Sequence, residues 1–174
     1  MGPVAPLRAF GTAYVELVRN CPLAVLFVFF VFGLPKVGVS FPLYTTAVIV
    51  LALYTGTYIG ETVRSGINSV AAGQAEAARS LGLTFTQVLG VVVLPQALRT
   101  VVAPLGSLFI ALTKNTSVAY TVSVAELTGR AQQVGNTTAD YAAAFLAAAI
   151  GYLLLTLPTS YLIAAVERRV AVKR

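Results

Sequence analysis

The chain of 174 residues contains no histidine, one cysteine and only six acidic side chains. Each shortage removes a class of chemistry. Without histidine there is no imidazole general base, no imidazole metal ligand and no imidazole proton relay. Cys21 alone cannot close an internal disulfide, and it reads as a small buried residue. The six acids are scattered singly, so they do not form the convergent acid, base or metal group that an enzyme needs. The pattern G-x-x-x-x-G-K-[ST] is absent, so the chain does not bind and hydrolyse ATP by itself. Charge of either sign is scarce: 10% of residues are charged, against about 25% in soluble domains. The N-terminus lacks the ordered basic, apolar and small-residue regions of a cleavable signal peptide.

What fills the chain is apolar. Hydrophobic residues make up 57% of it and the mean hydropathy is +0.84, so its solvent is largely lipid. The segment from Pro3 to Asn20 places Leu7, Phe10, Tyr14, Leu17 and Val18 at steps of three and four among Arg8, Glu16 and Arg19, which predicts an interfacial helix. Four uncharged or nearly uncharged stretches follow as membrane spans, at roughly 21–35, 43–64, 96–113 and 141–166. The first is short: its length gives about 22 Å of helix, and it crosses only if its helix starts before Pro22 or the membrane is thin there. The third is expected to begin near Gln96, fixed by Pro95, and to kink at Pro104; Pro158 interrupts the fourth. Residues 65–95 form a polar loop carrying a short alanine-rich helix that Gly82 ends. A second short helix is expected from Val118 to Gln133.

The net charge of +6 belongs to membrane topology and not to nucleic acid, because the bases lie between apolar runs. With the N-terminus inside, nine of the twelve bases face the cytoplasm: Arg8, Arg19, Arg64, Arg79, Arg99, Arg168, Arg169, Lys173 and Arg174. Lys36, Lys114 and Arg130 face outward. This is the positive-inside bias, and it puts both termini and the 65–95 loop in the cytoplasm.

That loop reads Gly73-Gln74-Ala75-Glu76-Ala77-Ala78, then Gly82, then Leu94-Pro95. It resembles the EAA loop of ABC-importer permeases, with Val92 where isoleucine is usual. The physical requirement is a short rigid helix whose small side chains seat in a groove of a separate ATPase. Ala75, Ala78, Leu81 or Gly82, and Phe85 recur at helical spacing as the expected docked face. Glu76 suits the positive helix N-terminus and can pair with a base on the partner. Gly82 supplies a positive-φ end.

More of the chain is similar to the polar amino acid permeases of the histidine, glutamine, glutamate and arginine uptake systems. The matching stretches include Arg19-Asn20-Cys21-Pro22-Leu23, Phe32-Gly33-Leu34-Pro35, Gly60-Glu61, Lys114-Asn115-Thr116-Ser117 and Glu126-Leu127. The resemblance implies an all-α integral membrane protein, an ABC importer type I transmembrane domain with about four membrane helices here plus a cytoplasmic coupling helix, in the bacterial cytoplasmic membrane. Such permeases usually have five spans. The first has no counterpart before Pro3: either the start is placed downstream of the true one, which is the favoured reading, or the chain has four spans.

The resemblance also implies a set of partners: ABC ATPase subunits that hold the ATP and magnesium, a second permease as homo- or heterodimer, an extracytoplasmic amino-acid-binding protein, and lipid. This chain itself is expected to bind no cofactor. The expected coupling residues are Gly73, Gln74, Glu76, Ala77, Ala78, Gly82, Leu94 and Pro95. The expected substrate path holds Tyr54, Tyr58 and Glu61 on the second span, and Lys114, Asn115, Thr116 and Ser117 at the outer end of the third. Ionisable groups inside spans are costly and default to function. The expected cargo is a polar amino acid of the glutamate or glutamine type. Two rivals stand beside it. One is a non-transporting, truncated membrane subunit. The other is a stand-alone secondary transporter, which lacks support because no inverted repeat is visible.

Overall fold

A computed structural model describes residues 5–170. Pro3 of the expected interfacial segment, and Lys173 and Arg174 of the counted bases, lie outside the described residues. Every regular element among the described residues is helical. Among the described residues, three helices are long and apolar enough to cross a membrane, or four if the bent pair Ala5–Asn20 and Leu23–Val37 is one span. Hydrocarbon offers no partner for backbone N–H and C=O groups, so a lipid-immersed chain of this composition closes its hydrogen bonds within helices.

Helix α1 (Ala5–Asn20) is amphipathic and buries no residue; Leu7, Phe10 and Leu17 stand exposed. It stops at Cys21-Pro22. Pro22 is extended (φ −59°, ψ 135°) and caps α2 (Leu23–Val28). The helix therefore does not begin before Pro22, and the chain bends by 105° between Ala5–Asn20 and Leu23–Val37. Cys21 is half-buried, not buried, and its thiol faces the Pro22 carbonyl at 3.8 Å.

Helix α3 (Leu43–Asn68) and helix α8 (Tyr141–Val170) are the long apolar runs foreseen from sequence. At 1.5 Å per residue they measure about 39 and about 45 Å, more than the roughly 30 Å of bilayer hydrocarbon. Leu146, Leu154 and Leu162 of α8 are exposed, as suits a surface solvated by lipid. Between α3 and α8 lie α4 (Ala72–Ser80), α5 (Phe85–Gln87), α6 (Leu94–Asn115) and α7 (Leu127–Thr138).

Pro95 does not start its helix. The helical run begins at Phe85 and continues to Val122. Thr84 caps it with a reciprocal capping box to Gln87, the Ser/Thr-x-x-Glu/Gln device that satisfies two terminal N–H groups. Pro95 has no N–H, and its ring presses on the carbonyl one turn earlier. The chain accommodates both problems by widening to π geometry over Val88–Val93 immediately before Leu94-Pro95. The same solution appears at Leu34-Pro35, which follows a π segment over Phe29–Gly33.

The expected helix from Val118 to Gln133 is two elements. A 3₁₀ segment, Thr116–Val122, ends at Ser123 in the left-handed region (φ 66°). The chain then restarts as α7, capped by Glu126, whose carboxylate accepts from the Thr128 and Gly129 N–H groups at 2.8 and 2.7 Å. A side-chain acceptor at the first turn competes successfully with continuing the helix.

The chain divides into two compact units. One runs through Tyr58 and includes Ala111–Thr156. Its core joins Leu23 and Phe27 of α2, Ala47 and Val50 of α3, and Ala119, Val122 and Val124. Ala131 of α7 meets Ala144 and Ala148 of α8 in a smaller cluster, where small side chains let the helices approach closely. The other unit holds Ile59–Ile110 and the chain from Leu157 onward. There Gly106 leaves room for Ile163, whose side chain fills the space a Cβ would occupy.

Candidate functional site

The residues singled out for coupling lie on and around α4. Gly73, Gln74, Glu76, Ala77 and Gly82 are exposed, whereas Ala78 is buried at 7% exposure. Ala78 is therefore covered by the protein's own chain, and α4 packs against the π segment 88–93. The expected docked face breaks down for a second reason. Helix α4 ends at Ser80, and Phe85 belongs to the next helix. Arg79 lies over the Phe85 ring with its guanidinium carbon 6.0 Å from the centroid, a cation–π contact across the turn.

The end of α4 is a complete Schellman turn. The Leu83 N–H donates to the Ala78 carbonyl at 3.2 Å and the Gly82 N–H to the Arg79 carbonyl at 2.9 Å. Gly82 sits at φ +85°, and the place where a Cβ would stand is open, with no atom within 4 Å. Glycine is needed there for backbone conformation and not for space. The result is a short, sharply terminated helix with small exposed side chains.

Three contacts tie this region together within its unit. A Cβ on Gly66 of α3 would run into the Val101 side chain and come within 3.2 Å of the Ala97 carbonyl. Ser69 and Thr100 hydroxyls lie 3.3 Å apart. The Gln96 side-chain amide donates to Gln74 of α4. Positions 96, 97, 100 and 101 form one stripe of α6, and Ala97 and Val101 on it are each only 4% exposed. Sequence reasoning passed over Gln96, Thr100 and Val101. The available signals were the amide directly after Leu94-Pro95 and the i, i+4 spacing of Gln96 and Thr100.

The path candidates fall into separate groups. Tyr54 and Tyr58 are joined, hydroxyl to hydroxyl, at 3.1 Å, with ring centroids 5.1 Å apart. The guanidinium carbon of Arg19 lies 5.3 Å from the Tyr58 centroid, a neighbour the sequence did not point out. Glu61 pairs with Arg64 at 3.5 Å. Lys114 and Asn115 close α6. Thr116 and Ser117 spend their hydroxyl protons on the Thr113 and Lys114 carbonyls, each at 2.7 Å, so these donors serve the 3₁₀ turn first. Glu126 is also occupied: besides its two backbone donors it accepts from the Tyr152 hydroxyl at 2.8 Å.

The family model of the binding-protein-dependent transport system inner membrane component matches residues 1–172. The chain belongs to this family. It is a membrane-embedded, non-catalytic permease component of an ABC transport system. A probable glutamine ABC transporter permease protein of Bacillus subtilis (strain 168) is 40% identical over 164 residues, covering 94% of this permease and 76% of the relative. The glutamate transport system permease protein of Corynebacterium glutamicum is 38% identical, covering 100% and 82%. The crystal structure of an amino acid ABC transporter with histidines superposes with a TM-score of 0.92 at 33% identity, covering 97% of the permease and 79% of that chain. An inward-facing methionine ABC transporter matches at a TM-score of 0.78 and 22% identity, which speaks for the fold alone.

Proposed function

We propose that this permease forms the membrane path of an ATP-driven importer of polar amino acids, glutamine and glutamate first among them, and that α4 is the element its ATPase pushes. The observation that carries the coupling role is the build of α4: a helix stopped by a Schellman turn at Gly82, seated by buried Ala78, and presenting Gly73, Gln74, Glu76 and Ala77 to solvent. A rigid lever with small exposed side chains is what a docking groove can grip. The two glutamine and glutamate relatives support the substrate class.

In this reading both termini and the 65–95 loop are cytoplasmic. An extracytoplasmic binding protein delivers the amino acid, and a second permease, identical or paralogous, completes the path. ATP and magnesium stay on the ATPase. Leu94 and Pro95 lie inside the third long helix, directly after its π segment, and Tyr54, Tyr58, Glu61 and the 114–117 turn are the proposed path residues.

The test is co-expression with the cognate ATPase, recovery on a tag, and uptake of radiolabelled L-glutamine and L-glutamate into proteoliposomes with the binding protein. ATPase recovery that is lost in Gly82→Asp, and uptake that fails in Glu76→Lys while ATP hydrolysis continues, are the expected results. Normal uptake in both variants overturns the coupling role of α4. Robust ATPase recovery without uptake of either amino acid overturns the substrate class.

A further inference from the structure

Gln96 occupies the first helical turn after a defect that its own neighbour creates. Pro95 removes one N–H from the ladder, and the preceding turn is π-helical. The half-buried Gln96 side chain reaches back into that turn. Its amide nitrogen donates to the Val92 carbonyl at 2.9 Å and also to the side-chain oxygen of Gln74 on α4. A carbonyl only accepts, so the contact with Val92 fixes which end of the amide faces inward. The NH₂ group has two hydrogens, and each has a partner here. One side chain thus clasps both the π-to-α junction of the third long helix and the exposed face of α4.

We propose that Gln96 is the positioning residue that passes displacement of α4 to α6, by holding the junction and the lever with one amide. The proposal rests on the reading of α4 as the element the ATPase pushes. Its chemistry is specific. Other ties on the same α6 stripe, Thr100 to Ser69 and Val101 to Gly66, engage the end of α3. The Gln96–Gln74 bond is the side-chain hydrogen bond that reaches α4 from this stripe. A pull on Gln74 acts through the amide on the Val92 carbonyl, inside the segment where the helix already departs from α geometry. π turns interconvert with α turns by shifting one residue of register, so this is where a small displacement changes helix geometry most readily.

The experiment uses the full complex of permease, ATPase and binding protein in lipid. Spin labels go on Ala72→Cys and Leu98→Cys, both exposed positions, in a Cys21→Ser background. The distance between them is measured before and after trapping ATP with vanadate, alongside L-glutamine uptake per ATP hydrolysed. With Gln96 present, α4 and the start of α6 move together and the distance holds on trapping. Gln96→Leu, and Gln74→Leu at its exposed position on α4, let the distance shift and lower uptake per ATP about fivefold, the equilibrium change matching one net hydrogen bond. In Gln96→Leu, ATPase recovery stays at the wild-type level. Gln96→Glu keeps the distance constant, because Gln74 can turn its amide to donate to the carboxylate, but uptake per ATP stays low, because a carboxylate has no proton for the Val92 carbonyl.

An unchanged distance and unchanged uptake per ATP in both leucine variants, with the ATPase bound, overturns this proposal and leaves the coupling role of α4 standing. A wild-type complex that does not recover the ATPase overturns both. If the distances behave as expected but L-glutamine is not carried, the substrate reading alone falls, and the distance result upholds the role of Gln96.

Discussion

The Schellman turn at Gly82 permits a quantitative test, because space and conformation separate cleanly there. The residue sits at φ +85°, and no atom lies within 4 Å of the position a Cβ would take. Gly82→Ala therefore introduces no clash. It introduces only the left-handed backbone penalty of an L-residue, about 1–2 kcal/mol, offset in part by the about 0.4–1 kcal/mol that alanine saves in the unfolded chain. The net loss is about 1 kcal/mol, or about a fivefold rise in local opening of the turn. Gly82→Asn loses less, since asparagine enters the left-handed region more easily. The reporter is the Leu83 amide, which donates to the Ala78 carbonyl at 3.2 Å and is freed when the turn opens. Hydrogen exchange at Leu83 should accelerate in the order glycine, asparagine, alanine, with the Thr46 amide, bonded to the Pro42 carbonyl at 2.9 Å, as an unaffected control. Exchange in Gly82→Ala within a factor of about two of wild type would refute the conformational argument. So would an asparagine variant that exchanges faster than the alanine one.

Gly66→Ala should destabilise the Gly66–Val101 contact by about 1–3 kcal/mol through overpacking, read as a lower unfolding temperature in detergent; adding Val101→Ala should recover most of the loss, and strictly additive losses would show that the two do not touch. Glu126→Ala should fray the first turn of α7 and cost about 1–2 kcal/mol, with faster exchange at the Thr128 and Gly129 amides. Tyr152→Phe removes the third donor to Glu126 and the contact with the Thr128 hydroxyl and should leave those two amides protected; equal acceleration in both variants would assign the cap to the tyrosine bond instead.

The two long apolar runs announced α3 and α8 because a span in lipid must be apolar along its whole length, which is a strong and local signal. Gly82 was legible for a similar reason: a helix that stops needs a residue able to turn left. The start of the third long helix was misplaced because Pro95 looks like an N-terminal proline, and the π turn that accommodates it depends on backbone geometry, not on composition. Thr84-x-x-Gln87 was nevertheless there as a written capping box. The break at Ser123 carried less warning, since a non-glycine residue adopts positive φ there and Glu126 declares itself a cap only through its two backbone donors. For the site, the exposed small residues of α4 were readable, but the inward turn of Ala78 was not, because helical periodicity does not say which face meets the rest of the chain. Thr116 and Ser117 advertised free hydroxyls that the folded turn consumes. Gln96 went unnoticed because its meaning lies in a partner twenty-two residues away in sequence.

The Leu-Pro pairs at 34–35 and 94–95 each follow a turn that is one residue wider than its neighbours. A helix carrying such a turn is not a rigid rod from end to end. It holds surplus chain at a defined address, where length can be let out or drawn in by a local change of pitch. For the run from Phe85 to Val122, that address is beside α4. A thrust arriving there need not drive the whole helix along its axis through the lipid. It can be absorbed as a change of pitch over a few residues, which leaves the far end of the helix free to keep its own packing while the near end answers the push.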